Sequence, residues 1–155
     1  MNTKVKSIPD GYHAITAYLS VTGAAKAIDY YQKALGAKVR LRMDGPGGSV
    51  MHSELEIGDS LFMLADESPM SLCRSPASVG GSTVGLFVYV ENVDATFKQA
   101  LAAGGKEVRP LQDQFYGDRT GSFEDPFGHR WTLGTHIEDV SDEEMKRRMA
   151  AMSQK

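Results

Sequence analysis

A chain of 155 residues, 41% apolar and 24% charged, has the composition of one ordinary globular domain, and a disordered chain is excluded. Its net charge of −3, with no basic run outside Lys146–Arg148, excludes broad nucleic-acid binding, and no apolar stretch nears the roughly 20 residues of a membrane span. The one cysteine, Cys73, excludes an internal disulfide framework. Met1–Pro9 has no apolar core of a secretory signal, so a cytoplasmic location is expected.

Pro9-Asp10-Gly11 is turn chemistry. Tyr12–Ser20 follows, rich in β-branched and aromatic residues, and predicts a strand. Gly23–Leu35 predicts a helix, because Ala24, Ala27, Ile28, Tyr31 and Leu35 recur at helical spacing and Gly36 can stop it. Lys38–Met43 reads as a short strand and Gly45–Gly48 as a loop. Val50–Ile57 and Ser60–Ala65 form a hairpin around Gly58-Asp59. Residues 66–82, rich in Ser, Pro and Gly, read as a linker or mobile loop.

The pattern then restarts. Thr83–Val90 predicts a strand, with Val84, Leu86, Val88 and Val90 on one side and Phe87 and Tyr89 on the other. Val93–Ala103 predicts a helix capped by Asn92 and stopped by Gly104-Gly105. Lys106–Leu111 is a strand and Asp113–Gly117 a turn-rich stretch. Arg119–Glu124 and His129–Thr135 are the last strands. Sliding the chain by about 69 residues sets Gly36 on Gly105, Val39 on Val108, Arg40 on Arg109 and Ile28 on Phe97. Residues 12–65 and 83–135 thus form two βαβββ modules of a single α+β domain. Residues 141–152 add a C-terminal helix, opened by the Ser141–Glu144 capping box. Met145, Met149 and Met152 give that helix one apolar stripe, and a homodimer is expected from it.

Three strings carry a family resemblance: AIDYYQKALGA at Ala27–Ala37, VENVDA at Val90–Ala95, and FEDPFGHRW at Phe123–Trp131. In this order the chain resembles the glyoxalase/bleomycin-resistance (vicinal oxygen chelate) superfamily, and within it the small bacterial phosphonate-operon type. The resemblance implies mixed sheets curled into cups, whose concave faces line a cavity between modules. It also implies a divalent metal held by His, Glu or Gln on the first and fourth strands of each module. Those positions fall near Thr16, Phe62 or Met63, Gly85 and Thr132, none of which is a ligand of that type.

The expected activity is therefore binding of a small apolar or aromatic molecule without a metal cofactor. Thr16, Tyr18, His52, Phe87, Tyr89, Tyr116, Arg119, Arg130 and Thr132 are the candidate ligand-binding residues. Aromatic rings supply contact area, and arginine fixes an anion or a carbonyl. Two alternatives remain. One is a metal-dependent lyase, isomerase or dioxygenase using a displaced set of His13, His52, Glu54 and Glu124. The other is an interaction protein with no small ligand. His52, Glu54 and Glu56 alternate, so they share one strand face, which is either cavity or solvated surface.

Overall fold

The computed structural model describes residues 5–153. The first four residues of the segment read for a signal, and the last two of the chain, lie outside it. The chain divides into two compact units, Met1–Ser82 and Thr83–Lys155, and both solve the same packing problem. Among the described residues no helix is long and apolar enough to cross a membrane.

In the first unit, β1 (Tyr18–Val21), α1 (Ala24–Leu35), β2 (Lys38–Asp44), β3 (Val50–Ile57) and β4 (Ser60–Asp66) form one sheet of order β1-β4-β3-β2. β1 and β4 are parallel, while the other pairs are antiparallel. One strand face is apolar and covered by α1. Leu19, Val21, Leu55 and Leu64 meet Ala24, Ala27, Ile28 and Tyr31 there, all at most 6% exposed. The Tyr31 ring stands edge-on to Phe62, with centroids 5.7 Å apart, an arrangement that aromatic quadrupoles favour.

β1 is shorter than the expected Tyr12–Ser20, because register with β4 begins only at Tyr18 opposite Met63. Ahead of it, the Tyr12 amide donates to the Pro9 carbonyl in the turn. His13 and Thr16 therefore lie before the strand.

Residues 66–82 are an organised loop rather than a bare linker. Gly23, at the N-cap of α1, has no side chain to cap the helix. The Asp66 carboxylate does so from the end of β4. Its Oδ1 accepts from the Gly23 and Ala24 amides and its Oδ2 from the Val50 amide, each at 2.8 Å. A carboxylate at this end also complements the helix dipole. Glu67 repeats the device at the short helix α2 (Pro76–Val79), accepting from the Ser75 amide and the Ser78 hydroxyl. These hydrogen bonds pull the Glu67 pKa down to about 2.

In the second unit, β5 (Gly85–Tyr89), α3 (Val93–Ala102), β6 (Lys106–Asp113), β7 (Asp118–Glu124) and β8 (Arg130–His136) give the order β5-β8-β7-β6. Val93, Phe97 and Ala100 of α3 pack on Phe123, Trp131 and Leu133. Gly121 leaves room for this, since a Cβ there would lie 2.9 Å from the Phe97 ring. Buried Trp131 donates its indole N–H to Asp125 at 2.8 Å. Edge strand β6 runs two residues past the expected Leu111, pairing Gln112 with Thr120 and Asp113 with Arg119. Pro110 falls where the register with β7 is interrupted, between Arg109 and Gln112, so it displaces no ladder pair.

Helix α4 (Asp142–Met152) is capped by the Ser141 hydroxyl, which accepts from the Glu144 amide. Glu144 does not complete the expected capping box. Its carboxylate binds Arg147 and Arg148, and Arg148 also grips Glu138. Met149 and Met152 are exposed, and Met145 is half-buried.

Candidate functional site

Period-two alternation puts Tyr18 and Ser20 of β1, Met63 and Ala65 of β4, and His52 and Glu54 of β3 on the first sheet's face away from α1. These groups form a polar chain across the sheet. The Tyr18 hydroxyl lies 2.8 Å from His52 Nδ1, and His52 Nε2 lies 3.4 Å from Glu54 Oε1. Beyond Glu54, the buried Tyr12 hydroxyl lacks a well-formed hydrogen bond. Burial first, and then Glu54, push its pKa up to about 12. Burial also raises the pKa of Tyr18.

A cavity of about 770 Å³ opens at Tyr18. Its walls come from Ser20, Val50 and Met51 of the sheet and from Asp66–Cys73. Met70 and Leu72 of that loop are 94% and 101% exposed. A smaller cavity, about 470 Å³, lies against Tyr12, His13, Thr16, Glu54 and Met63. Both are lined by residues of the first unit alone.

Of the residues expected to bind ligand, the first unit thus brings Tyr18 to the larger cavity and Thr16 to the smaller. His52 stands behind Tyr18. Met51 is a participant that the sequence reading missed, and loop 66–73 lies in the segment whose role, lid or tether, the sequence left open. Alternation marks Met51 for the helix-facing side, and the loop's Ser/Pro content signalled only irregular backbone.

The second sheet treats its equivalent face differently. Phe87, Tyr89, Thr132 and Arg130 share that face, and most of their polar groups are taken by neighbours. The Phe87 ring covers Gly134, where a Cβ would come within 2.7 Å of it, and tilts against Tyr89 at 4.8 Å. The Tyr89 hydroxyl donates to Asp118, a bond that raises its pKa more than burial does. Thr132 shares a hydrogen bond with Ser122, and Arg130 pairs with Glu124. Tyr116 sits half-buried in the turn before β7, edge-on to Phe115.

Arg119 departs from its expected place on a cavity wall. It opposes Thr135, one residue out of phase with Thr120 and Thr132, so it points to the α3 side. There it binds both oxygens of Asp94 at 2.9 Å and also Asp113. A guanidinium forked onto carboxylates in this way is a structural tie, and it lowers the Asp94 pKa.

A divalent metal held as in the metal-dependent branch of the fold does not fit these residues. The positions expected to supply it carry Thr16, Phe62 or Met63, Gly85 and Thr132. None offers an imidazole or a carboxylate. The displaced set is not gathered either. His13 turns to the Asp59 carbonyl, and Glu124 is paired with Arg130 in the other unit. Among the described residues no three His, Cys, Asp or Glu side chains converge to hold a metal ion.

Comparison with known proteins agrees with the two-sheet architecture. The family model described as "Glyoxalase/Bleomycin resistance protein/Dioxygenase superfamily" matches residues 12–133. The uncharacterised Mycobacterium bovis protein Mb0911c is 42% identical over 144 residues, covering 90% of this chain and 92% of its own. The crystal structure of TioX from Micromonospora sp. ML1 superposes with a TM-score of 0.64 at 26% identity, covering 81% of this chain and 99% of its own. The PhnB protein of Bacillus cereus shares the fold with a TM-score of 0.61 at 23% identity, covering 79% and 99%. The chain belongs to the glyoxalase/bleomycin resistance protein/dioxygenase superfamily and has its vicinal oxygen chelate fold.

Proposed function

We propose that this protein binds a small, largely apolar organic molecule in the cavity of its first unit, without a divalent metal. The observation that carries this reading is the 770 Å³ cavity itself. Its volume lies within the roughly 300–1,000 Å³ typical of small-molecule sites. It is walled by Tyr18, Met51, Met70 and Leu72, together with several serines. Flexible methionine side chains suit varied apolar shapes. Leu72 and Met70 expose apolar surface that a ligand would cover. Asp66 and Glu67 also line the space, but their oxygens are committed to backbone amides, the Ser78 hydroxyl and the Arg74 guanidinium, so they hold the wall.

Cys73 lines this cavity and is the chain's one thiol, so it provides a direct reporter. A library of small aromatic compounds should contain members that slow alkylation of Cys73 saturably. Leu72→Asp and Met70→Asp, both at exposed positions, should abolish that protection without unfolding the protein. The reading fails if no compound protects the thiol, or if the purified protein retains one equivalent of a divalent metal by elemental analysis.

A further inference from the structure

We propose that Tyr18, His52 and Glu54 form a proton-accepting site for a weakly acidic hydroxyl, a phenol or an enol, on the molecule held in the first-unit cavity. The proposal rests on the cavity reading above and specifies the ligand chemistry. Tyr18 is the member that lines the cavity, and the other two act through it.

The tautomer of His52 follows from its neighbours. A carboxylate only accepts, so the Nε2 facing Glu54 at 3.4 Å carries the hydrogen. Nδ1 is then the acceptor for the Tyr18 hydroxyl at 2.8 Å. With its own proton turned to His52, the Tyr18 oxygen presents lone pairs to a ligand. A ligand hydroxyl can give its proton to Tyr18 Oη while the Tyr18 proton passes to His52 Nδ1. Two O–H bonds break, and one O–H and one N–H form. The products are a ligand oxyanion, a neutral tyrosine that now donates to it, and an imidazolium facing the Glu54 carboxylate. No net charge is created and no cofactor is consumed.

The surroundings favour this direction. Opposite His52 on β2 stands Met43, and opposite Glu54 on β4 stands Met63, so neither strand sets a second charge against the imidazole. The next carboxylate along β3, Glu56, is bound by Arg40. Tyr12, beyond Glu54, stays protonated because its pKa is pushed up to about 12. Glu54 is therefore the carboxylate that stabilises charge on His52.

The probe is para-nitrophenol, whose phenolate band reports ionisation, with para-nitroanisole as the analogue that cannot ionise. Both are titrated into the full-length protein, and occupancy is read from protection of Cys73. The apparent pKa of bound para-nitrophenol should fall by about one unit, which is a roughly tenfold higher phenolate-to-phenol ratio at a given pH. His52→Gln and Glu54→Gln should remove the shift while para-nitroanisole still protects Cys73, and Tyr18→Phe should remove it as well. If para-nitroanisole protects Cys73 but bound para-nitrophenol ionises as it does in water, the proton-accepting site is wrong and the cavity reading stands. A shift that persists in His52→Gln equally overturns it. If neither compound protects the thiol, both readings fall for ligands of this kind.

Discussion

The two sheets share one plan, yet their faces away from the helices have opposite fates. Ser53 opposes Leu64 in the first sheet as Gly121 opposes Leu133 in the second, so His52 and Glu54 correspond to Thr120 and Ser122. Tyr18, opposite Met63, corresponds to Phe87, opposite Thr132. In the first sheet these positions carry long titratable groups beside a cavity. In the second, Thr120 accepts from Gln114 and Ser122 pairs with Thr132, while Phe87 fills the space over Gly134. A duplicated fold can thus keep two equivalent cores while its two outer faces diverge, because the core-facing residues of a strand alternate independently of the outer ones.

Several substitutions would sharpen or break that contrast. The largest effect is expected where the units are alike. Leu64→Ala and Leu133→Ala remove fully buried side chains at matching places, and each should cost about 2–5 kcal/mol by denaturant titration. Strongly unequal costs would show that the two cores are not equivalent. Next comes Asp66→Ala, which strands the Gly23, Ala24 and Val50 amides. It should cost about 2 kcal/mol and accelerate alkylation of Cys73 by loosening the wall.

On the outer faces, His52→Ala should weaken binding of an ionisable aromatic ligand by about tenfold, whereas Thr120→Ala should leave its affinity unchanged. Equal losses in an equilibrium binding assay would erase the distinction between the sheets.

The smallest effects are expected with pH, and they differ between the units. Glu67 has a pKa lowered from 4.5 to about 2 by Ser75 and Ser78. Its contribution is present above 4.5 and is lost as pH falls towards 2. Glu67→Gln should flatten the acid limb of a stability curve over that window. In the second unit, Asp139 and then Asp118 raise the pKa of His136 above 6.5, with bonds of 2.9 and 2.7 Å. Its contribution is full below 6.5 and fades as pH rises through the raised value. His136→Gln should flatten the curve on the neutral-to-alkaline side, and a variant that leaves both limbs unchanged would refute the assignment.

The sequence by itself determined the repeat of elements and the helix faces that could pack on a sheet. Apolar residues at helical spacing in Ala24–Leu35 and Val93–Ala102, and alternation along the central strands, are local patterns that burial then amplifies. The family strings placed the same elements in the same order. Tertiary structure alone decided the rest. Asp66 reaches back to cap α1, and Arg119 is drawn to Asp94, because each is satisfied by a partner more than 20 residues away. Tyr18 meets His52 across β4 only once parallel pairing has set the register, and the loop from Asp66 to Cys73 becomes a cavity wall only when its anchors are in place. Periodicity reports which face a residue takes, but it carries no information about which distant group stands on that face with it.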